Sequence, residues 1–151
     1  MYTDTLIKIF NRDLTKLKYE IECYSTERNL WIVDKSITNS AGNLCLHLVG
    51  NLNHFIGAVL GNTGYVRQRN LEFSLKDVPK RELLKQIDDT ILVVTETLSQ
   101  LSSADVDGLY PIEVFIDPMT TEYFLTHLVH HLAYHLGQIN YHRRLLDASN
   151  D

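Results

Sequence analysis

Four stretches of this chain repeat apolar side chains every three or four residues, the period of an α-helix with one buried face. Leu6, Ile9, Phe10, Leu14, Leu17 and Ile21 make the first stripe. Leu44, Leu48, Leu52, Phe55, Ile56 and Val59 make the second, and Leu83, Leu84, Ile87, Ile91, Val94, Leu98 and Leu101 the third. The fourth carries Leu128, Leu132, Leu136 and Ile139. Each stripe has to be buried against another element, so the pattern predicts an all-α four-helix bundle. The 151 residues suffice for a single domain with one core, expected to run over residues 1–151. Three prolines and seven glycines leave little room for long disordered or repetitive segments.

The residues between the stripes set the expected boundaries. The stretch "ERNLWIV" brings Leu30, Trp31 and Val33 to a turn packed under the bundle. Asn39 or Ser40 is suited to cap the second helix. "GNTG" ends it, with Gly61 and Gly64 suited to turn or left-handed conformations. Residues 61–78 read as a polar connection, the longer one, between helices two and three. Pro79 fits the first turn of the third helix. Residues 102–108 read as a loop, and the Pro-broken "LYPIEVFID" as an extended segment. Thr120 or Thr121 caps the fourth helix, expected to reach about Ala148.

Composition removes some classes of function. The formal net charge of −5 argues against a nucleic-acid partner, which calls for a basic face. Cys23 and Cys45 are far apart and form no CxxC pair, so both read as reduced core residues of a reducing compartment. The N-terminal "MYTDTLIKIFNRDLTKLKYE" is broken by charges every few residues, which fits neither a signal peptide nor a membrane span. A cytoplasmic protein with no membrane partner is expected.

The chemistry concentrates in "HLVHHLAYHLGQINYH", residues 127–142, which hold five of the seven histidines. At about 100° per residue, His127 and His135 lie roughly 40° to either side of His131, and Gln138 and His142 within roughly 20° of it. His130 is about 100° off this stripe and is expected to face solvent. His131 and His135 form an i,i+4 pair, able to turn two imidazole nitrogens to one metal ion. Leu132 stands where an HExxH protease helix has its glutamate, so the metalloprotease reading lacks its base. A third ligand has to come from another helix, and the second helix offers His47 and His54. His47, among Leu44, Cys45 and Leu48, is either a satisfied core histidine or a ligand.

Other residues have plainer readings. His127 and His54 bond to the ligands or sit on a polar rim, and His142 sits at a helix end where the dipole favours imidazolium. Gly137 is expected to allow a close helix approach. Gln138 either orients a ligand or bridges two helices. Arg67, Arg69 and Glu72 read as a salt-bridge cluster in a loop, with the mouth of a substrate site as the alternative. Glu113, Asp117 and Glu122 flank the fourth helix, but periodicity assigns none of them as a general base. No histidine has a glutamate three residues before it, which removes the di-iron bundle pattern. A Met/His haem pair would have only Met1 and Met119 to draw on.

"LCLHLVGNLNHFIGAVLG", followed downstream by "HHLAYHLGQINYHRRLL", resembles the DinB/YfiT-like superfamily. The resemblance covers roughly residues 4–148. His131, His135, Gly137 and Gln138 match its HxxxHxGQ motif, and His47 in "HLVGN" fits its second-helix ligand better than His54. "RQRNLEF", with Arg67, Arg69, Glu72 and Phe73, looks like one branch of that superfamily. The resemblance implies a four-helix bundle holding a divalent metal, zinc or nickel, on His47, His131 and His135. It also implies a homodimer acting on a small molecule, either as a hydrolase or as a transferase or isomerase using a low-molecular-weight thiol. The alternative is a non-catalytic, metal-stabilised or interaction bundle.

Overall fold

The computed structural model describes residues 2–147, and within them the architecture is all-α. Helix α1 spans Tyr2–Glu22. Helix α2 starts at Ala41 and runs to Gly61 through a π-helical turn over Asn53–Ala58. A short α3 covers Arg69–Ser74, α4 covers Lys80–Gln100, a short α5 covers Ser103–Asp107, and α6 covers Thr121–Leu146. Both α1 and α2 pack against α4 and α6. The four predicted stripes meet in one core, in which Phe10, Leu14, Leu48, Leu52, Ile56, Leu83, Ile87, Val94, Leu125 and Ile139 are fully enclosed.

α2 is the central element. Every residue of Ala41–Leu52 is buried, because α4 and α6 flank it and α3 covers it. Ala41–Gly61 is long and apolar enough to cross a membrane by length and composition, but in this fold that character serves the core. Ser40 is the cap, its Oγ accepting from the Asn43 amide at 3.2 Å. The π-helical turn follows where the Asn53 side chain donates to the Val49 carbonyl and to Thr90 Oγ1, both at 2.8 Å. An extra residue in one turn shifts the helical register downstream of it.

Several boundaries differ from expectation. Asn62, at φ 49°, takes the left-handed position after α2, and Gly64, at φ 78°, a second one. Gly61 stays helical, and Thr97 of α4 lies against it where a Cβ would collide. The polar connection of 61–78 contains α3, whose six residues are too few for periodicity to register. The expected loop of 102–108 contains α5, nucleated by a capping box in which Ser102 and Asp105 bond reciprocally. Among the described residues the "LYPIEVFID" segment forms no strand, only an isolated bridge between Leu109 and Thr120. Leu30 and Trp31 are buried in a 3-10 turn as expected, whereas Val33 is exposed. Thr120 caps α6 by accepting from the Tyr123 amide at 3.1 Å. The expected end at Ala148 lies outside the described residues.

Candidate metal centre

α2 and α6 lie side by side, and three histidines meet between them. His47 Nε2 and His135 Nε2 each lie 3.1 Å from His131 Nε2. The candidate ligand atoms of His47, His131 and His135 all fall within 4.8 Å of one another. The rings stand nearly perpendicular, with the His131 and His135 centroids 4.5 Å apart at 90° and those of His47 and His131 5.0 Å apart at 77°. The nitrogen edges, not the ring faces, therefore converge. His47 is buried; His131 and His135 are half-buried.

The outer nitrogens decide what the inner ones offer. His47 Nδ1 lies 3.0 Å from Glu72 Oε1, and a carboxylate only accepts, so Nδ1 carries the proton and Nε2 is a bare lone pair. His135 Nδ1 lies 2.6 Å from Gln138 Oε1 and donates to it, again leaving Nε2 bare. A proton on His131 Nε2 serves one of these lone pairs and leaves the other facing it. His131 Nδ1 is also buried and has no protein partner. Three nitrogens on one tetrahedral ion at about 2.0–2.1 Å stand about 3.3 Å apart, close to the 3.1 Å that separates His131 Nε2 from each of the other two. The donor set thus fits a divalent cation better than it fits itself.

Electrostatics favours the neutral, ligating form of His131 and His135. Burial, reinforced by His135 and His47 nearby, pushes the His131 pKa down to about 3. Burial also lowers that of His135, against the opposing bond to Gln138. Burial alone would push the Glu72 carboxyl up, but bonds from His47 and Arg67 outweigh it and hold it ionised.

Residues 1–150 match the family described as "Protein of unknown function (DUF1572)". The chain belongs to the DUF1572 family. No curated protein matches it.

In this DUF1572 member, Glu72 is more than part of a loop cluster. Its carboxylate takes Arg67 Nε at 2.8 Å and Arg67 Nη2 at 2.9 Å on one side and His47 on the other. Gly50, one turn beyond His47, makes this approach possible, because a Cβ there would overlap the Glu72 carboxylate. Asn43 anchors α3 over α2 by donating to the carbonyls of Glu72 and Leu75 at 3.0 and 2.8 Å. Phe73 then lies 4.9 Å from the His47 ring. Sequence periodicity does not single out Gly50 or Asn43 for these roles; a glycine three residues after a buried histidine is the one local clue. Arg69 stacks over Phe73 at 5.2 Å, apart from the Arg67–Glu72 pair.

The other expectations divide. Gln138 bonds to a triad histidine rather than bridging two helices. His130 is exposed, as expected. His127 stacks on His131 with centroids 6.2 Å apart and lies between it and Phe115, but it is not in the triad. His54 packs on Phe55 and stays outside the cluster. His142 is not a rim imidazolium: it is buried, accepts at Nδ1 from the Tyr24 hydroxyl at 2.6 Å and donates from Nε2 to the Ile32 carbonyl at 2.8 Å. Burial lowers its pKa and favours the neutral ring. Gly137 serves no close approach, since nothing lies within 4 Å of where its Cβ would be. Glu113, Asp117 and Glu122 are exposed, and none joins the histidine cluster. Both cysteines are free, with the Cys45 thiol pushed up to about 12 by burial.

Proposed function

We propose that this protein is a metal-dependent enzyme whose divalent ion, zinc or nickel, is held by His47, His131 and His135. The single observation that carries the reading is the convergence of three Nε2 atoms, two of them freed by bonds at the opposite nitrogen. Bonds of that kind orient ligating histidines and raise their basicity. With three protein ligands, such an ion keeps an open position and lowers the pKa of a water or thiol bound there. Glu72 and Gln138 hold the imidazole orientations, while Arg67 neutralises Glu72.

The likeness to the DinB/YfiT-like superfamily supports reading the four long helices as its four-helix bundle, with α3 and α5 as additions to the connections. It also supports a small-molecule substrate, a low-molecular-weight thiol as co-substrate and a homodimer, while the net charge of −5 and the two unpaired, separated cysteines support a cytoplasmic protein without a nucleic-acid partner. Thiol transfer is favoured over hydrolysis. Among the described residues Glu72 is the one carboxylate bonded to the triad, and its oxygens are already engaged by His47 and Arg67. A thiol asks for no separate general base once its proton is lost.

One observation favours a structural site instead: the triad joins α2 to α6, and Glu72 ties α3 to α2, so an ion there would staple the α2–α3 pair to α6. Purification without chelator, elemental analysis and His131→Ala separate these readings. Enzymatic use predicts about one metal per chain, loss of that metal in the variant, a stable fold and lost turnover in a screen of thiols against electrophiles. Metal loss accompanied by unfolding supports the staple. Unchanged metal content in the variant refutes the triad.

A further inference from the structure

A cleft of about 530 Å³ opens beside the triad, between the 36–39 segment and the face of α6. Its walls include Ile37, Leu44, Tyr141 and Leu145, and its inner end is His135 with Gln138. Leu44 is buried, whereas Tyr141 and Leu145 are exposed, so the cleft has an apolar floor and an open rim. Among the described residues, no aspartate, glutamate, lysine or arginine lines it. The remaining histidine, His142, has both nitrogens bonded to Tyr24 and Ile32. In the metal-free protein an ionised ligand would thus lose hydration here and find no countercharge among these side chains.

Ser36, Thr38 and Asn39 also line the cleft, and Gln138 supplies the polar feature bonded to the triad. Its Oε1 accepts from His135, which turns the amide nitrogen away from that bond. Two N–H donors of an exposed side chain are thereby left at the inner end of an apolar cleft, next to a triad imidazole. Apolar walls with a few fixed polar groups are the usual make-up of a small-molecule site.

We infer that this cleft seats the apolar body of an uncharged carbonyl compound, an amide or ester, with the Gln138 amide donating to its carbonyl oxygen. The assignment of the compound as substrate rests on the metal-enzyme reading; its binding does not. The test is NMR titration of the isotope-labelled protein, metal-free and zinc-loaded, with benzamide, benzoate and benzylammonium. A fragment of this size binds in the millimolar range. The expected result for the metal-free protein is saturable shifts at Leu44, Tyr141 and Leu145 with benzamide, at an affinity about ten-fold above either ion. Leu145→Asp, at an exposed position, should weaken benzamide about five-fold or more and leave metal content unchanged. Gln138→Leu should weaken benzamide but not toluene, which separates the donor from the apolar walls. Absent cleft shifts, or equal affinities for the three probes, overturn the inference even if zinc binds one to one. Selective benzamide binding by a chain that holds no zinc sustains the site and refutes only the metal reading.

Discussion

Gly50→Ala adds one methyl group at a position with no polar atom of its own, yet the geometry predicts a metal-binding defect. The new Cβ would occupy the space now taken by the Glu72 carboxylate, which must swing away. The bond to His47 Nδ1 at 3.0 Å and the pair to Arg67 at 2.8 and 2.9 Å are then lost or strained. Removing a partner that orients a ligating histidine costs about 10–100-fold in metal affinity. At about 1.36 kcal/mol per decade this is about 1.4–2.7 kcal/mol. Folding stability changes less. Charge-assisted bonds worth about 1.5–3 kcal/mol are weakened, while alanine in place of glycine returns about 1 kcal/mol of helix propensity, for a net loss of about 0.5–2 kcal/mol. The assay is zinc competition against a chromophoric chelator for the original protein, Gly50→Ala, Glu72→Ala and the double variant. Because Gly50→Ala acts through Glu72, it should add little once the carboxylate is gone, giving a coupling energy near its own single effect. An affinity within about two-fold of the original for Gly50→Ala, alongside a clear loss for Glu72→Ala, would refute the claim that Gly50 makes room for the carboxylate.

Three further outcomes are expected. Gln138→Ala frees the His135 ring to rotate and should lower zinc affinity about ten-fold with little change in melting temperature, as read by the same competition and by calorimetry. For the metal-free protein, the pKa of His131 folded, about 3, lies below its value unfolded, so the unfolded chain binds more protons between the two. Stability should therefore fall as pH drops from about 6.5 toward 3, and His131→Leu should flatten that slope in denaturant titrations across pH. Asp147 accepts from the Ser25 and Thr26 amides, the Ser25 hydroxyl and Asn29, so Asp147→Ala should cost about 1–3 kcal/mol by leaving those donors unpaired. Burial raises the Asp147 pKa, but these bonds more than reverse it, so its contribution is present above the ordinary carboxylate range and lost as pH falls through the lowered value.

The sequence by itself determined the four long helices, because their apolar repeat is a local property of each segment. It also determined that His131 and His135 share one side of α6, since i,i+4 neighbours do so in any helix. The caps were legible to within one residue, as Asn39 or Ser40 and as Thr120 or Thr121, and the structure takes Ser40 and Thr120. Facts that depend on what a neighbouring element covers were not. Gly137 and Gly50 look alike in the chain, but one faces open space and the other a carboxylate. His142 lies on the histidine stripe of α6, yet Tyr24 and Ile32 enclose it, while His131 on the same stripe meets His47. His54 and His47 are two turns apart on α2, with a π-helical turn beginning between them. Only the tertiary structure brought Glu72 across 25 positions to His47, because a contact between elements depends on packing that no local period encodes.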